Sequence, residues 1–286
     1  MALKDLLVYV DERERAFALL RLAANLARRH ASRLTALYVK RLNAAQLDEQ
    51  STAELGLASA AEIGELTRCI DKSIEDVTDR FRTALELLAQ EHGIQAEWCC
   101  LEGIASVVVP QHARHADLCI LNHEVSDVAP GAYSFSEQLL FVTGRPVLFV
   151  PVTGQFETLG RRILVAWNSS RASARALNDA LPLIERAEHT TVLTVNPGEF
   201  VKRHGALPAK QMLEHLRRHS PSVEGIEIND IPAESVAEVM QAASRKARAD
   251  LIVVGAFGHP RLWEKVLGGV TRDLLAHMSM PTLMSH

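Results

Sequence analysis

The sequence is short of the features that would assign it to several large classes of protein. It has only four cysteines in 286 residues, Cys69, Cys99, Cys100 and Cys119, all in the first half. Their spacing matches no zinc finger or ribbon, and Cys99-Cys100, adjacent on an expected strand, point to opposite faces. Free, reduced thiols filling apolar space are the expectation. Charge of one sign is also scarce: 31 Lys and Arg stand against 35 Asp and Glu, a net charge of −4. That balance gives no basis for a nucleic-acid partner, and the cationic pairs Arg28-Arg29 and Arg217-Arg218 read as solvated helix faces. No apolar run approaches the roughly 20 residues that span a bilayer. The N-terminus enters Leu6-Leu7-Val8-Tyr9-Val10 directly, without a secretory leader, so a cytoplasmic protein with no membrane partner is expected.

Catalytic signatures are missing as well. There is no Gly-x4-Gly-Lys-Ser/Thr loop, no Gly-x-Gly-x2-Gly fingerprint and no Gly-x-Ser-x-Gly elbow around Ser169-Ser170. Histidines are plentiful at twelve. His112 and His115, and His215 and His219, have helical spacings that can chelate, but His215-Leu-Arg-Arg-His219 lacks the metalloprotease glutamate. Surface histidines and no metal site are the reading.

What is present is an ordinary globular composition, 48% hydrophobic and 23% charged, in a chain long enough for two domains. Residues 4–11 read as a strand. A helix follows, with Ala16, Leu19, Leu20, Ala23, Leu26 and Ala27 on one face. Strands are expected over 34–39, 95–101, 118–121 and 146–150. Helices are expected over 70–92, 105–115 and 135–142. A long connection fills 41–69 and a polar loop fills 122–134. The pattern then repeats after a linker at 152–160. Arg162–Asn168 echoes Lys4–Asp11, Thr191–Val195 echoes Thr35–Val39, Arg248–Val254 echoes His115–Leu121, and Met280–Met284 echoes Arg145–Phe149. Four echoes in one order, sharing Ala-Asp-Leu and Pro-x-Leu, indicate a duplicated domain. Strands alternating with helices indicate parallel sheets with helices on both faces. The boundaries fall at 1–151 and 161–286, and two separate sheets rather than one continuous sheet are expected.

In such sheets ligands sit beyond the C-terminal strand ends, at the switch in strand order. In the second half these ends are Asn168, Val195 and Gly255. Gly255, Gly258 and Gly268 are spaced Gly-x2-Gly-x9-Gly between a buried strand and the helix that starts near Gly269-Val270-Thr271. A strand, a glycine loop and a helix N-terminus can cradle phosphate with backbone N–H groups. The same glycines could instead only turn the chain. His259, Arg261 and Lys265 lie in this loop. The first half keeps Asp11 but lacks the glycines, and Glu124 and Asp127 there oppose an anion.

This spacing, together with Ile163–Arg171 and Ala249–Gly255, resembles the universal stress protein family, and the whole chain resembles two such domains in tandem. The resemblance implies an α/β fold of two doubly wound, five-stranded parallel-sheet domains of the adenine nucleotide alpha hydrolase type. It further implies that the domains pair through Val147–Val150 and Thr282–Ser285. Some members bind ATP or AMP. Carried over, Val195 would lie against adenine and Asn168 near base and ribose, where relatives usually have Asp. Gly255 and Gly258 would pass ribose and phosphates. Gly268, Gly269, Val270 and Thr271 would meet the phosphates, with Gly269 in place of the usual hydroxyl residue. ATP would arrive with Mg²⁺, and no other cofactor is implied. The Ser-Gly-Gly-x-Asp-Ser loop of related ATP-pyrophosphatases is absent. The expectation is a stress-response binding module for an adenine nucleotide in the second half. A slow ATP hydrolase and a purely structural or interaction protein are the alternatives, and a homodimer is a further expectation.

Overall fold

The computed structural model describes residues 2–40, 60–123, 134–196, 209–232, 236–256 and 269–286. The first half runs β1 (Asp5–Val10), α1 (Arg15–His30), β2 (Arg33–Lys40), α2 (Ala60–His92), β3 (Ala96–Glu102), α3 (Ala105–Ala113), β4 (Leu118–His123), α4 (Phe135–Val142) and β5 (Val147–Pro151). The second runs β6 (Arg162–Ala166), α5 (Arg171–Asp179), α6 (Leu181–Ile184), β7 (His189–Val195), α7 (Ala209–Leu216), β8 (Val223–Ile228), α8 (Val236–Ala247), β9 (Leu251–Gly255), α9 (Gly269–Ala276) and β10 (Thr282–Ser285). Helix α2 begins ten residues before its expected start, so part of the long connection is helical.

Within each half all neighbouring strands are parallel, in the orders β3-β2-β1-β4-β5 and β10-β9-β6-β7-β8. The halves do not stand as two separate sheets. β5 and β10 pair antiparallel and merge all ten strands into one. Every residue of both strands is buried, so two apolar edges that would otherwise be open to foreign strands cover one another. Leu148 faces Leu283 across this seam, flanked by Val147↔Met284 and Phe149↔Thr282. These are the equivalent residues of the Pro-x-Leu echoes, so a local twofold axis passes between the two leucines. Because the seam is antiparallel, the C-terminal strand ends of the two halves open on opposite edges of the sheet.

The echoes have physical causes. The aspartate of each Ala-Asp-Leu precedes β4 or β9 and clamps the start of the adjacent strand. Asp117 Oδ2 accepts the N–H groups of Lys4 (2.7 Å) and Asp5 (3.0 Å). Asp250 accepts those of Gly160 (3.0 Å), Arg161 (3.0 Å) and Arg162 (3.1 Å). The aspartate N–H groups donate in return to Asp5 O and Arg162 O, both at 2.8 Å. The prolines of Pro-x-Leu open β5 and β10, where a missing N–H is tolerated, and their carbonyls accept from Cys119 and Ile252.

Strand side chains alternate between two layers. One core gathers Leu6, Val8 and Val10 under α1, α2, α5 and α6. The other gathers Leu7, Leu121 and Ile252 under α3, α4, α8 and α9. Both cores run through both halves. The segment 152–160 is not a free tether. Leu159 is buried, and α1 holds the segment through Arg15 to Gly154 O (3.1 Å), Asn25 to Glu157 O (3.0 Å) and Arg29 to Leu159 O (2.7 Å) and Gly160 O (3.1 Å). Arg29 also exchanges side-chain to carbonyl hydrogen bonds with Arg186. The reading of Arg28-Arg29 as a solvated pair therefore holds for Arg28 alone, since the Arg29 guanidinium is drawn into the junction by the carbonyl groups of Leu159, Gly160 and Arg186.

Candidate functional site

Strand order reverses in the second half between β6 and β9, and the candidate residues surround their C-terminal ends. Asn168 is exposed. Its Oδ1 accepts Ser170 N–H at 3.1 Å, with Ser169 in the left-handed region (φ 60°). Ser170 then caps α5, its Oγ accepting Ser173 N–H at 3.1 Å. In the first half Asp11 Oδ1 accepts Arg13 N–H at 3.2 Å in the same turn. The side-chain turn needs an acceptor oxygen rather than a charge, so a carboxamide and a carboxylate both build it.

Gly255 has a packing reason of its own. A Cβ there would lie 2.3 Å from the carbonyl carbon of Ala172 and 2.3 Å from the nitrogen of Ser173. Only glycine lets the first turn of α5 press onto β9. Val195 is half-buried and ends β7. Beside it Asn196, at φ 49°, is clamped to Ile231: Nδ2 donates to its carbonyl (2.5 Å) and Oδ1 accepts its N–H (3.0 Å). This fixes the rim next to Val195. Gly269 opens α9, Val270 is half-buried, and Thr271 is buried at 6% exposure. Gly258 and Gly268 lie outside the described residues, as do Glu124, Asp127, His259, Arg261 and Lys265.

The two halves differ at this place in the fold. Strand register makes Tyr9 and Ala166 equivalent: Tyr9 pairs Leu37 and Leu121, and Ala166 pairs Leu193 and Val254. Phe135 and Val270 stand the same eleven residues ahead of Pro146 and Pro281. In the first half the two rings pack on each other, centroids 5.5 Å apart and tilted by 59°. In the second half the same two positions carry Ala and Val, both half-buried against the same core as Val195, Ile228 and Val236. The helix ends differ in parallel. α4 is closed by a capping box: Ser134 Oγ accepts Glu137 N–H (3.2 Å) and Glu137 Oε2 accepts Ser134 N–H (2.7 Å). The corresponding residues at α9 are Gly269, with no side chain to cap, and Arg272, with the opposite charge. Tyr9, Phe135, Ser134, Glu137 and Arg272 were not among the expected site residues. Aligning the echoes position by position exposes the Tyr9/Ala166 exchange, but nothing in the sequence says that Tyr9 meets Phe135.

Among the described residues no group of three or more His, Cys, Asp or Glu is placed to hold a metal. His215 and His219 rings lie 4.9 Å apart and His219 meets Glu185 at 3.3 Å. Burial lowers the His215 pKa, with smaller contributions from His219 and Arg218. Cys99 is half-buried, Cys100 exposed and Cys119 buried, all as free thiols. Burial pushes the Cys119 thiol up to about 12, which removes its reactivity. A cleft of about 260 Å³ lined by Lys40, Ile74, Glu75, Thr78, Asp79 and Cys100 lies against α2, in the other half from the candidate site. No described helix is long and apolar enough to cross a membrane.

Residues 160–286 match the model of the Universal stress protein family. Among solved structures, the chain is similar to a universal stress protein from Archaeoglobus fulgidus DSM 4304, with TM-score 0.69 at 17% identity, covering 98% of this chain and 97% of that one. It is also similar to a functionally unknown protein from Pseudomonas aeruginosa PAO1, with TM-score 0.61 at 14% identity, covering 99% of this chain and 92% of that one. At these identities the likeness shows the shared α/β fold over the whole chain. No curated protein matches the sequence.

Proposed function

We propose, from the match of residues 160–286 to the universal stress protein family, that the chain is a stress-response binding module whose second half takes an adenine nucleotide, ATP or AMP, while its first half is closed to such a ligand. The observation that carries this reading is the exchange of a packed, tilted aromatic pair, Tyr9 and Phe135, for Ala166 and Val270 at equivalent positions. Removing two rings leaves room on an apolar rim for a planar base. The N-terminus of α9, with Gly269 and Arg272 in place of the capping Ser134 and Glu137, suits an anion where α4 already holds its own carboxylate. Asn168 would offer a carboxamide at the rim, and the N–H groups of Gly268, Gly269, Val270 and Thr271 would meet the phosphates. Gly255 and Gly258 would border the ribose, and Val195 the base. The buried Thr271 hydroxyl contributes less to this cradle than the backbone does.

The test transplants the closed half into the open one. Calorimetry with ATP and AMP should find binding to the wild type and at least a tenfold loss, about 1.4 kcal/mol, in the double variant Ala166→Tyr, Val270→Phe. Absence of wild-type binding at millimolar nucleotide would end the nucleotide reading and leave an interaction protein. Phosphate release during the same titration would mark a hydrolase.

A further inference from the structure

Building on the proposed nucleotide site, we infer that α9 is a coupling strut, through which occupancy of that site is transmitted to α4 of the first half by His123. His123 ends β4, at the C-terminal edge of the first half, and is 5% exposed. Its Nε2 lies 2.9 Å from the carbonyl oxygen of Leu275 in α9, and its Nδ1 lies 2.9 Å from Ser136 Oγ in α4. A carbonyl only accepts, so Nε2 carries a proton and donates to Leu275, while Nδ1 shares the second hydrogen bond with the serine hydroxyl. Leu275 lies in the last turn of α9, where carbonyls have no partner within the helix, so the other half supplies the missing donor. The ring is also held edge-on by Phe149 of the seam strand β5, at 5.7 Å and 72°.

The fold does not require an imidazole at this place. The position equivalent to His123 in the second half, one residue beyond Gly255, is Ala256, which is fully buried. The bridge therefore runs one way, from the first half to the far end of α9. A second contact has the same direction: Arg272 Nε lies 3.6 Å from Glu137 Oε1, so the carboxylate that caps α4 also pairs with α9. Eight residues rising ~1.5 Å each make α9 a rod of about 12 Å. Its N-terminus is the proposed phosphate end and its C-terminus is held by His123. A phosphate that aligns the first turn fixes the axis of the whole rod, which favours the hydrogen bond at the other end. By reciprocity, the His123 bond orders the rod in advance and favours the phosphate.

The experiment uses the intact chain with ATP as probe, combining calorimetry with hydrogen exchange of residues 134–142. In the wild type ATP should slow exchange in that segment. In His123→Phe the slowing should vanish and ATP affinity should fall about fivefold or more, the lower end of a typical coupling. Ser136→Ala keeps the ring and its bond to Leu275 but cuts the link to α4, so it should abolish the exchange response even if His123→Phe fails to fold. A purely structural His123 would lower the melting temperature without moving the ATP-linked exchange. Wild-type ATP binding with unchanged exchange at 134–142, or affinities and exchange responses in the variants that match the wild type, overturns the coupling and leaves the nucleotide reading standing. Absence of ATP binding to the wild type overturns both, and calorimetry alone identifies that case.

Discussion

Replacing Asp250 should destabilise the protein more than replacing Asp117, although the two residues occupy the same place in the repeat. Asp250 accepts three backbone N–H groups, of which those of Gly160 and Arg162 are partly buried. Asp117 accepts two, both exposed. Hydrogen bonds to a charged group contribute about 1.5–3 kcal/mol each, and buried donors left without a partner lose the most, while exposed ones recover water. Asp250→Ala should therefore cost about 3 kcal/mol and Asp117→Ala about 1 kcal/mol. Asp250→Asn, which keeps an acceptor oxygen but no charge, should fall between them. Urea unfolding followed by circular dichroism gives these differences from the midpoints, with unchanged slopes confirming that stability alone has moved. A loss below about 1 kcal/mol for Asp250→Ala, or equal losses at the two sites, would refute the clamp as the reason for the Ala-Asp-Leu echo.

Other perturbations test other parts of the argument. His30 is buried at the end of α1, where desolvation, then Arg186 and Arg29, push its pKa from 6.5 down to about 4. The unfolded chain therefore takes up a proton that the folded chain refuses, so stability is full above about pH 6.5 and declines as the pH falls towards 4. The ceiling of about 3 kcal/mol, reduced to about 2 kcal/mol for solvent relaxation, should disappear in His30→Gln when urea midpoints are compared between pH 7 and 4. Gly255→Ala drives a methyl group into the backbone of α5. It should cost about 3 kcal/mol by overpacking, and a melting temperature equal to wild type would show that α5 does not sit where described. Leu148→Ala and Leu283→Ala each empty one side of the seam and should cost about 3 kcal/mol apiece. Because the two side chains share one place, their double variant should depart from the sum by more than about 0.5 kcal/mol, and additive losses would mean that the leucines do not couple.

Much of the fold was legible because the repeat signatures do mechanical work. Aspartate recurs where it ties two strand starts together, and proline recurs where a strand begins without needing an N–H, so both survive in sequence as landmarks. Strand β8 was not legible, because Val223–Ile228 is an edge strand with a glycine inside it and only partial burial. The single sheet was not legible either. Pairing of the last strands was expected from the family resemblance, but merging all ten strands follows only from the antiparallel register of Leu148 with Leu283. At the site, sequence spacing picked out strand ends that lie side by side in the sheet but assigned ligand roles to groups that also answer to local structure. Asn168 forms the turn into α5, and Gly255 gives that helix room. The residues that distinguish the halves, Tyr9, Phe135 and Glu137, escaped notice because their meaning lies in contacts between elements that are far apart in the chain.

The asymmetry between the halves is energetic as well as geometric. In the first half, the N-terminus of α4 is satisfied by its own serine and glutamate, an arrangement that contributes about 1 kcal/mol. The Tyr9–Phe135 contact adds about 0.5–1.5 kcal/mol beyond the area it buries. Neither contribution depends on any ligand. In the second half the equivalent positions hold Ala166, Val270, Gly269 and Arg272, which supply neither the ring contact nor the cap. A duplicated fold that had only to be stable would gain by keeping both features twice. Their absence on one side, at the strand ends where α/β sheets bind ligands, leaves an apolar rim and a helix start without the serine–glutamate cap of α4, as the proposed nucleotide site requires. The Glu137–Arg272 contact then gains a second meaning: the carboxylate that caps α4 is also the charge that α9 leans on, so the first half supports the helix to which the proposal assigns the phosphate.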